Sequence, residues 1–239
     1  MSEATNESGA VEPYVSVRGE AMLEVEAETA RLVFTVSARD RDRAHAMASL
    51  ATRAGEVLDG LRAFGDAVET IETTAVRVYP AYREGHGRER IEGYVAQVTH
   101  TATVVDFTVI GDLVDRVGEG PTTEISGPWW GLRPLSDHHR RARVAAVEDA
   151  RLRAEQYAAA LGGRVTGLVH LADAGLLAAG PGLSLGPPGM PGMGMHRAMA
   201  TGGEAAPVVD LVPERQIVRA TVEARFTMST PSFAAPEGT

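Results

Sequence analysis

The spacing of apolar residues along this chain changes repeatedly between two residues and three to four residues. Over residues 216–228, apolar side chains alternate with Arg, Thr and Glu, which predicts a strand with one buried and one solvated face. Over residues 40–64, apolar residues recur at intervals of three and four, which predicts an amphipathic helix that stops at Gly65. The core must therefore be built from strands and helices together.

The same criteria predict the order of the remaining elements. The opening strands should form an antiparallel hairpin or meander, and the next two strands a second hairpin. Hairpins mixed with helices indicate an α+β fold, in which a largely antiparallel sheet packs against two long amphipathic helices and one short helix. The predicted strands cover 14–18, 22–26, 31–38, 68–82, 90–107, 122–132, 164–171 and 216–228, and the helices cover 40–64, 109–117 and 136–161.

The clearest helical pattern lies between Ser136, a favoured helix-capping residue, and the pair Gly162-Gly163. Many residues on its apolar side are small, so we expect the helix to approach the sheet closely. Pairs of opposite charge four residues apart predict ion pairs on the solvent side. These pairs are Asp149 with Arg153 and Arg151 with Glu155, and the predicted buried stripe is Val147, Ala150, Ala154, Tyr157 and Leu161.

Composition separates one folded region from three segments that lack a regular pattern. Residues 1–13 form an acidic tail, residues 175–213 are dense in Gly, Pro, Ala and Met, and residues 230–239 are rich in Pro and Ala. Such sequences bury too little apolar surface to order themselves. We predict one domain over 14–229, interrupted by a flexible insertion at 175–213, with disordered tails at 1–13 and 230–239.

Charge and residue usage exclude several classes of function. The net charge is −9 and the basic residues form no block, so nucleic acid is not expected as a partner. The chain has no cysteine, which excludes disulfides, thiol catalysis and Cys-ligated metals. The first residues lack the charged and apolar regions of a signal peptide, and no segment is apolar enough to span a membrane. We therefore expect a cytoplasmic location.

Three segments together resemble a known family. They are the helical run at 142–162, the opening Val-Ser-Val-Arg-Gly-Glu at 15–20, and Leu-Ser-Asp at 135–137 after a strand. In this combination the chain resembles the SIMPL-domain (YggE-like) family of bacterial proteins. The resemblance implies an α+β protein that forms large ring-like or hollow homo-oligomers, with a suggested role in resisting oxidative stress. It implies no catalytic site and no residue role.

Two motifs resemble catalytic sites only in residue type. Gly182-Leu183-Ser184-Leu185-Gly186 matches a nucleophile elbow, but the prolines that follow exclude the helix that this motif requires. Consecutive Ser136, Asp137, His138 and His139 cannot align as a triad, and helix capping explains them better. His100 falls on an apolar strand face and is predicted to be a hydrogen-bonded core residue.

The insertion and one strand contain the candidate binding residues. Met190, Met193, Met195 and His196 are soft ligands of the kind that suit Cu(I). The alternatives are a contact surface for a partner or subunit and a passive loop, and the passive loop is the favoured interpretation. Trp129 and Trp130 are neighbours on a predicted strand, so one should enter the core and the other should face outward at an interface.

Taken together, these features predict a non-enzymatic protein that assembles with itself into a large scaffold, ring or shell and needs no cofactor. An unidentified protein partner could also bind the loop at 175–213. The alternative is a protein that binds a soft metal or a small ligand through Met190, Met193, Met195 and His196.

Overall fold

The computed structural model describes residues 12–83, 90–118, 120, 122–176 and 211–232. It is an α+β fold with antiparallel sheets and three α-helices. The strands are β1 (Tyr14–Val25), β2 (Thr29–Asp40), β3 (Val68–Arg83), β4 (Arg90–Val104), β5 (Thr123–Gly131), β6 (Val165–Asp173) and β7 (Gln216–Met228). The helices are α1 (Arg43–Arg62), α2 (Ile110–Gly118) and α3 (Asp137–Ala160), with short 3-10 turns at Gly65–Ala67 and Phe107–Val109.

The strands form two sheets where the sequence predicted one. One sheet has the order β3-β4-β2-β5 and the other has the order β1-β7-β6. The predicted hairpin of the opening strands is wrong, because β2 is paired on both sides by β4 and β5 and offers β1 no free edge. The first strand is also continuous through Gly19 and is not divided there.

β1 pairs with β7 instead, although these strands lie at opposite ends of the described chain. The Met228 N–H donates to the Pro13 carbonyl at 2.9 Å. Further along, Arg225 Nε donates to Ser16 Oγ at 3.1 Å, and Arg18 pairs with Glu223 at 3.1 Å. The contacts advance along β1 while they recede along β7, so the two strands are antiparallel.

The described residues form two compact units. β1, α3, β6 and β7 make up the three-stranded unit, and β2 to β5 with α1 and α2 make up the four-stranded unit. The assignment of a single domain to residues 14–229, with its insertion and tails, stays a prediction.

The four-stranded unit has a core of large side chains. α1 starts at Asp42, whose carboxylate accepts from the Ala44 and His45 N–H groups, and α1 and α2 bury apolar faces in this core. Complete burial of each large aliphatic or aromatic side chain stabilises the fold by roughly 1.5–3 kcal/mol. The largest fully buried residues are Phe34, Leu32, Leu61, Ile110, Leu113, Val36 and Val104.

The three-stranded unit packs α3 through alanines. A Cβ on Gly19 of β1 would lie 2.6 Å from Ala150 N and overlap the Ala146 carbonyl, so helix and strand backbones are almost in contact. The close approach is as expected, but the predicted stripe is correct only at Ala150 and Ala154, because the short distance between the backbones favours alanine over larger side chains. The buried stripe is Ala142, Ala146, Ala150, Ala154 and Ala158, whereas Val147, Tyr157 and Leu161 of the predicted stripe are exposed.

Candidate self-association surface

β6 ends the three-stranded sheet and carries apolar residues on a face that the described part of the chain leaves exposed. In the register with β7, Leu168 lies opposite Phe226 and Leu171 lies opposite Ala224. Phe226 and Ala224 are buried, with exposed fractions of 7% and 0%. Residues opposite one another share a sheet face, so Leu168 and Leu171 lie on the core side of the sheet. They are nevertheless 57% and 44% exposed.

The position of α3 explains this exposure. The buried alanines of α3 pack against Val17 of β1 and against Val222, Ala224 and Phe226 of β7. From β6, only Val165 joins this cluster. The helix therefore covers β1 and β7 and leaves the middle of β6 open.

An open groove follows the uncovered part of β6. It has a volume of about 510 Å³ and lies between the last turns of α3 and the first half of β6. Ala159, Leu168 and Phe226 contribute apolar lining, while the ion pair of Arg151 with Glu155, at 2.6 Å, forms a polar wall. The groove can accept apolar side chains from another polypeptide.

The edge of β6 that no described strand pairs has little protection against pairing. Between Arg164 and Asp173 every residue is uncharged, and none is proline. Natural proteins protect edge strands with charges, prolines or bulges. β6 has two register irregularities, between Val165 and Gly167 and between Leu168 and His170. It has no proline and no Asp, Glu, Lys or Arg between its ends. Charged residues instead protect β1 at the opposite edge of the same sheet, namely Arg18, Glu20 and Glu24.

The β6 surface consists of Leu168, Val169 and Leu171. The sequence analysis identified the strand but not this surface. The sequence pattern that could have indicated this surface is the continuous run of apolar and neutral residues over 165–172, which differs from the strict alternation of β7. A run of this kind indicates burial on both faces, yet within the described residues one face and one edge of β6 are open.

Trp129 and Trp130 point to opposite sides of β5, as the strand alternation indicated. Trp130 packs against the core, with its ring edge-on to Phe107 at a centroid distance of 4.9 Å. Trp129 is 36% exposed, and the Arg31 guanidinium lies 5.0 Å from its ring centroid. The interface role of both residues stays a prediction, and Trp129 has the larger surface available for it.

The residues Ser136 to His139 form a helix start. Ser136 Oγ accepts from the His138 N–H at 3.3 Å, and Asp137 binds the Arg140 guanidinium at 2.8 Å. This hydrogen bond from Arg140 lowers the pKa of Asp137. The serine caps the helix and the carboxylate is engaged by an arginine, so the four residues are not arranged as a catalytic triad.

His100 is buried in the four-stranded unit, with an exposed fraction of 2%. Its Nδ1 lies 3.0 Å from Thr73 Oγ1, while Nε2 has no hydrogen-bond partner among the described residues. Burial lowers the pKa of His100, because the apolar surroundings disfavour the charged imidazolium. The expected core histidine is present, with one of its two nitrogens satisfied by the described part of the chain.

The soft-metal candidates Met190, Met193, Met195 and His196 lie outside the described residues, as does Ser184 of the elbow motif. Among the described residues, no group of three or more His, Asp and Glu side chains is arranged to hold a metal ion. None of the helices in the described ranges combines the length and apolarity that a membrane crossing requires.

Comparison with known proteins assigns the family. Residues 15–226 match the SIMPL family, described as "Protein of unknown function (DUF541)". The chain belongs to the SIMPL family. It is also 25% identical over 151 residues to "Uncharacterized protein YggE" of Edwardsiella ictaluri (strain 93-146). The aligned region covers 63% of this chain and spans 63% of the length of that relative.

Proposed function

We propose that this SIMPL protein is a non-enzymatic, self-assembling protein in which β6 of one copy pairs with β6 of a second copy. One observation carries the proposal: Leu168 and Leu171 lie on the core side of their sheet and are still about half exposed. A second copy would supply hydrogen bonds to this edge of the strand, and its side chains would lie beside Leu168 and Leu171 and reduce their exposure.

The sequence of β6 is complementary to itself. An antiparallel pair with Val169 at its centre puts Asp173 of one copy opposite Val165 of the other, next to Arg164. Charges of opposite sign therefore meet at both ends of the pair, while its middle is uncharged.

Burial provides part of the driving force. Complete burial of a leucine or valine side chain contributes roughly 1.5–3 kcal/mol. Leu168, Val169 and Leu171 are about half exposed, so covering them would contribute about 1 kcal/mol per side chain. Both copies bury the same residues in a two-fold contact, which doubles the gain.

A large particle requires a second contact, because two-fold pairing of β6 closes after two copies. Trp129 is the proposed anchor of this contact, since large exposed aromatic rings are enriched at protein interfaces. Trp129→Ala should then leave pairs of chains intact while it removes larger assemblies.

Light scattering of the full chain at several concentrations tests the proposal. The wild-type protein should give a discrete mass many times the 25.3 kDa chain. The double variant Leu168→Asp/Leu171→Asp should lower this mass, because it puts carboxylates into the pair. Leu135→Asp is the matched control, since Leu135 is exposed and lies outside the β6 surface. A monomer in every wild-type sample would overturn the proposal.

The remaining predictions from the sequence need separate experiments. Soft-metal binding is supported only by the composition around Met190, Met193, Met195 and His196. It predicts copper retention that is lost when these residues are replaced. A cytoplasmic location and a link to stress defence also stay predictions, as does the absence of a cofactor.

A further inference from the structure

A second site lies in the four-stranded unit, in a cleft between α1, α2 and the start of β5. The cleft has a volume of about 290 Å³. Arg53 and Glu56 of α1 and Arg116 of α2 supply its charges, and Thr122 and Thr123 supply hydroxyl groups. Val57 and Val117, which are almost completely buried, contribute apolar wall.

Arg53 is held in place before any ligand binds. Its Nη1 donates to the Ser37 carbonyl at 3.1 Å and to Thr122 Oγ1 at 3.3 Å. Thr122 is itself fixed to β2, because its carbonyl accepts from the Ser37 N–H at 3.0 Å. A guanidinium has five N–H donors, and no hydrogen bond joins Nη2 or Nε of Arg53 to a described residue. These groups can donate to an anion, and little side-chain entropy would be lost on binding.

The positive charge of the cleft is not neutralised locally. Within the described part of the chain, no carboxylate oxygen lies within 4.0 Å of a guanidinium nitrogen of Arg53 or Arg116. The Arg116 guanidinium lies 6.0 Å from the centroid of the Phe64 ring. Among the described lining residues, two arginines thus share the cleft with one carboxylate, that of Glu56, in a chain whose net charge is −9.

We infer that this cleft binds a small organic monoanion, namely a carboxylate with a short aliphatic tail. The planar guanidinium matches the geometry of a carboxylate and binds it through two parallel hydrogen bonds. Val57 and Val117 receive the tail. Glu56 disfavours a second negative charge on the ligand, which selects a monocarboxylate over a phosphate dianion. The volume lies at the lower end of the range for ligand pockets, which limits the ligand to a small molecule.

Saturation-transfer NMR with isovalerate tests this inference on the full chain. Isovalerate should give a saturable signal from its methyl groups, and inorganic phosphate should compete only weakly. Arg116→Met should weaken binding about tenfold, because it removes one charged hydrogen-bond donor group. Arg219→Met is the matched control, since Arg219 lies on β7, outside the cleft.

The Arg53→Lys variant distinguishes a role of Arg53 in ligand binding from a role in folding alone. It keeps the charge but loses the planar fork, so it should weaken isovalerate binding with an unchanged circular dichroism spectrum. Absence of a saturable isovalerate signal would overturn the inference, as would equal binding by the Arg116→Met and Arg219→Met variants. Phosphate binding tighter than that of isovalerate would also overturn it.

Discussion

The four-stranded unit buries phenylalanine, leucine and isoleucine between its sheet and its helices, whereas the three-stranded unit packs α3 on its sheet through alanines. Phe34, Leu61 and Ile110 are fully buried in the first unit. In the second, the buried face of α3 is the alanine stripe, and Gly19 allows the backbones to approach closely. Both units also have exposed apolar residues, such as Val76 and Ile91 in the first and Leu168 in the second, so the contrast lies in the size of the side chains that the helices bury.

The difference between the units is the basis for placing the proposed contact between copies on β6. Leu168 and Leu171 cannot be covered by α3, because the helix lies over β1 and β7. The edge strands show the same contrast. β3, at one edge of the four-stranded sheet, contains Pro80, charged residues and three register irregularities, whereas β6 is uncharged between its ends. These differences are why the proposed contact between copies lies in the three-stranded unit.

The largest expected effect is a loss of unfolding free energy when one large side chain is truncated in each unit. Phe34→Ala should lower the free energy of unfolding by about 3–5 kcal/mol, because it leaves a cavity in a closed core. Leu168→Ala should lower it by less than about 1 kcal/mol at concentrations where the chain is dissociated, since half of the side chain is already in water. Chemical denaturation measures both. Equal losses would contradict the contrast between the two cores.

The stability of the protein should depend almost as strongly on the close approach of α3 to β1. Gly19→Val should destabilise the protein by about 2–3 kcal/mol, because the new side chain overlaps the backbone of α3 and the helix must move away. Gly55→Ala is the control, since a Cβ at Gly55 in α1 would meet no atom within 4 Å. It should stabilise the fold by up to about 1 kcal/mol. A tolerated valine at position 19 would contradict the close packing of α3 on β1.

The smallest expected effect is the pH dependence of stability that comes from His100, a polar residue buried in the core of the four-stranded unit. Its folded-state pKa lies below its ordinary value of 6.5, so below pH 6.5 the unfolded chain binds a proton more readily than the folded one. Stability from the neutral imidazole is complete above pH 6.5 and declines as the pH falls towards the lowered pKa. Thermal unfolding of the wild-type protein should show this decline, and His100→Leu should reduce it. The same pH dependence in both proteins would contradict the assignment.

Much of the fold could be predicted from local sequence patterns. The bounds of β7 agree with the prediction because its alternation is strict, and α1 and α2 lie where the helical spacing placed them. The pairing of β1 with β7 could not be predicted in this way. The partner is about 200 residues away along the chain, and a local pattern does not specify which edge a strand joins.

The face of α3 was mispredicted for a related reason. Ala150 and Ala154 belong both to the predicted stripe and to the observed one, so helical spacing alone does not distinguish them. Hydrophobicity favours Val147 and Tyr157, but the distance between helix and strand selects alanine. The β6 surface was missed because an apolar strand has the same sequence whether or not a helix covers it. The interface role of Trp129 and the Met-rich site stay untested predictions.

Disulfide trapping tests the pairing of β6 most directly, because the chain contains no cysteine. At the centre of an antiparallel pair, Val169 of one copy faces Val169 of the other at a Cα distance of roughly 4.5–5.5 Å, which is within reach of a disulfide. Val169→Cys should therefore form covalent dimers under mild oxidation, whereas the control Leu135→Cys should not. Failure of Val169→Cys to form dimers, or equal dimer formation by both variants, would contradict the account.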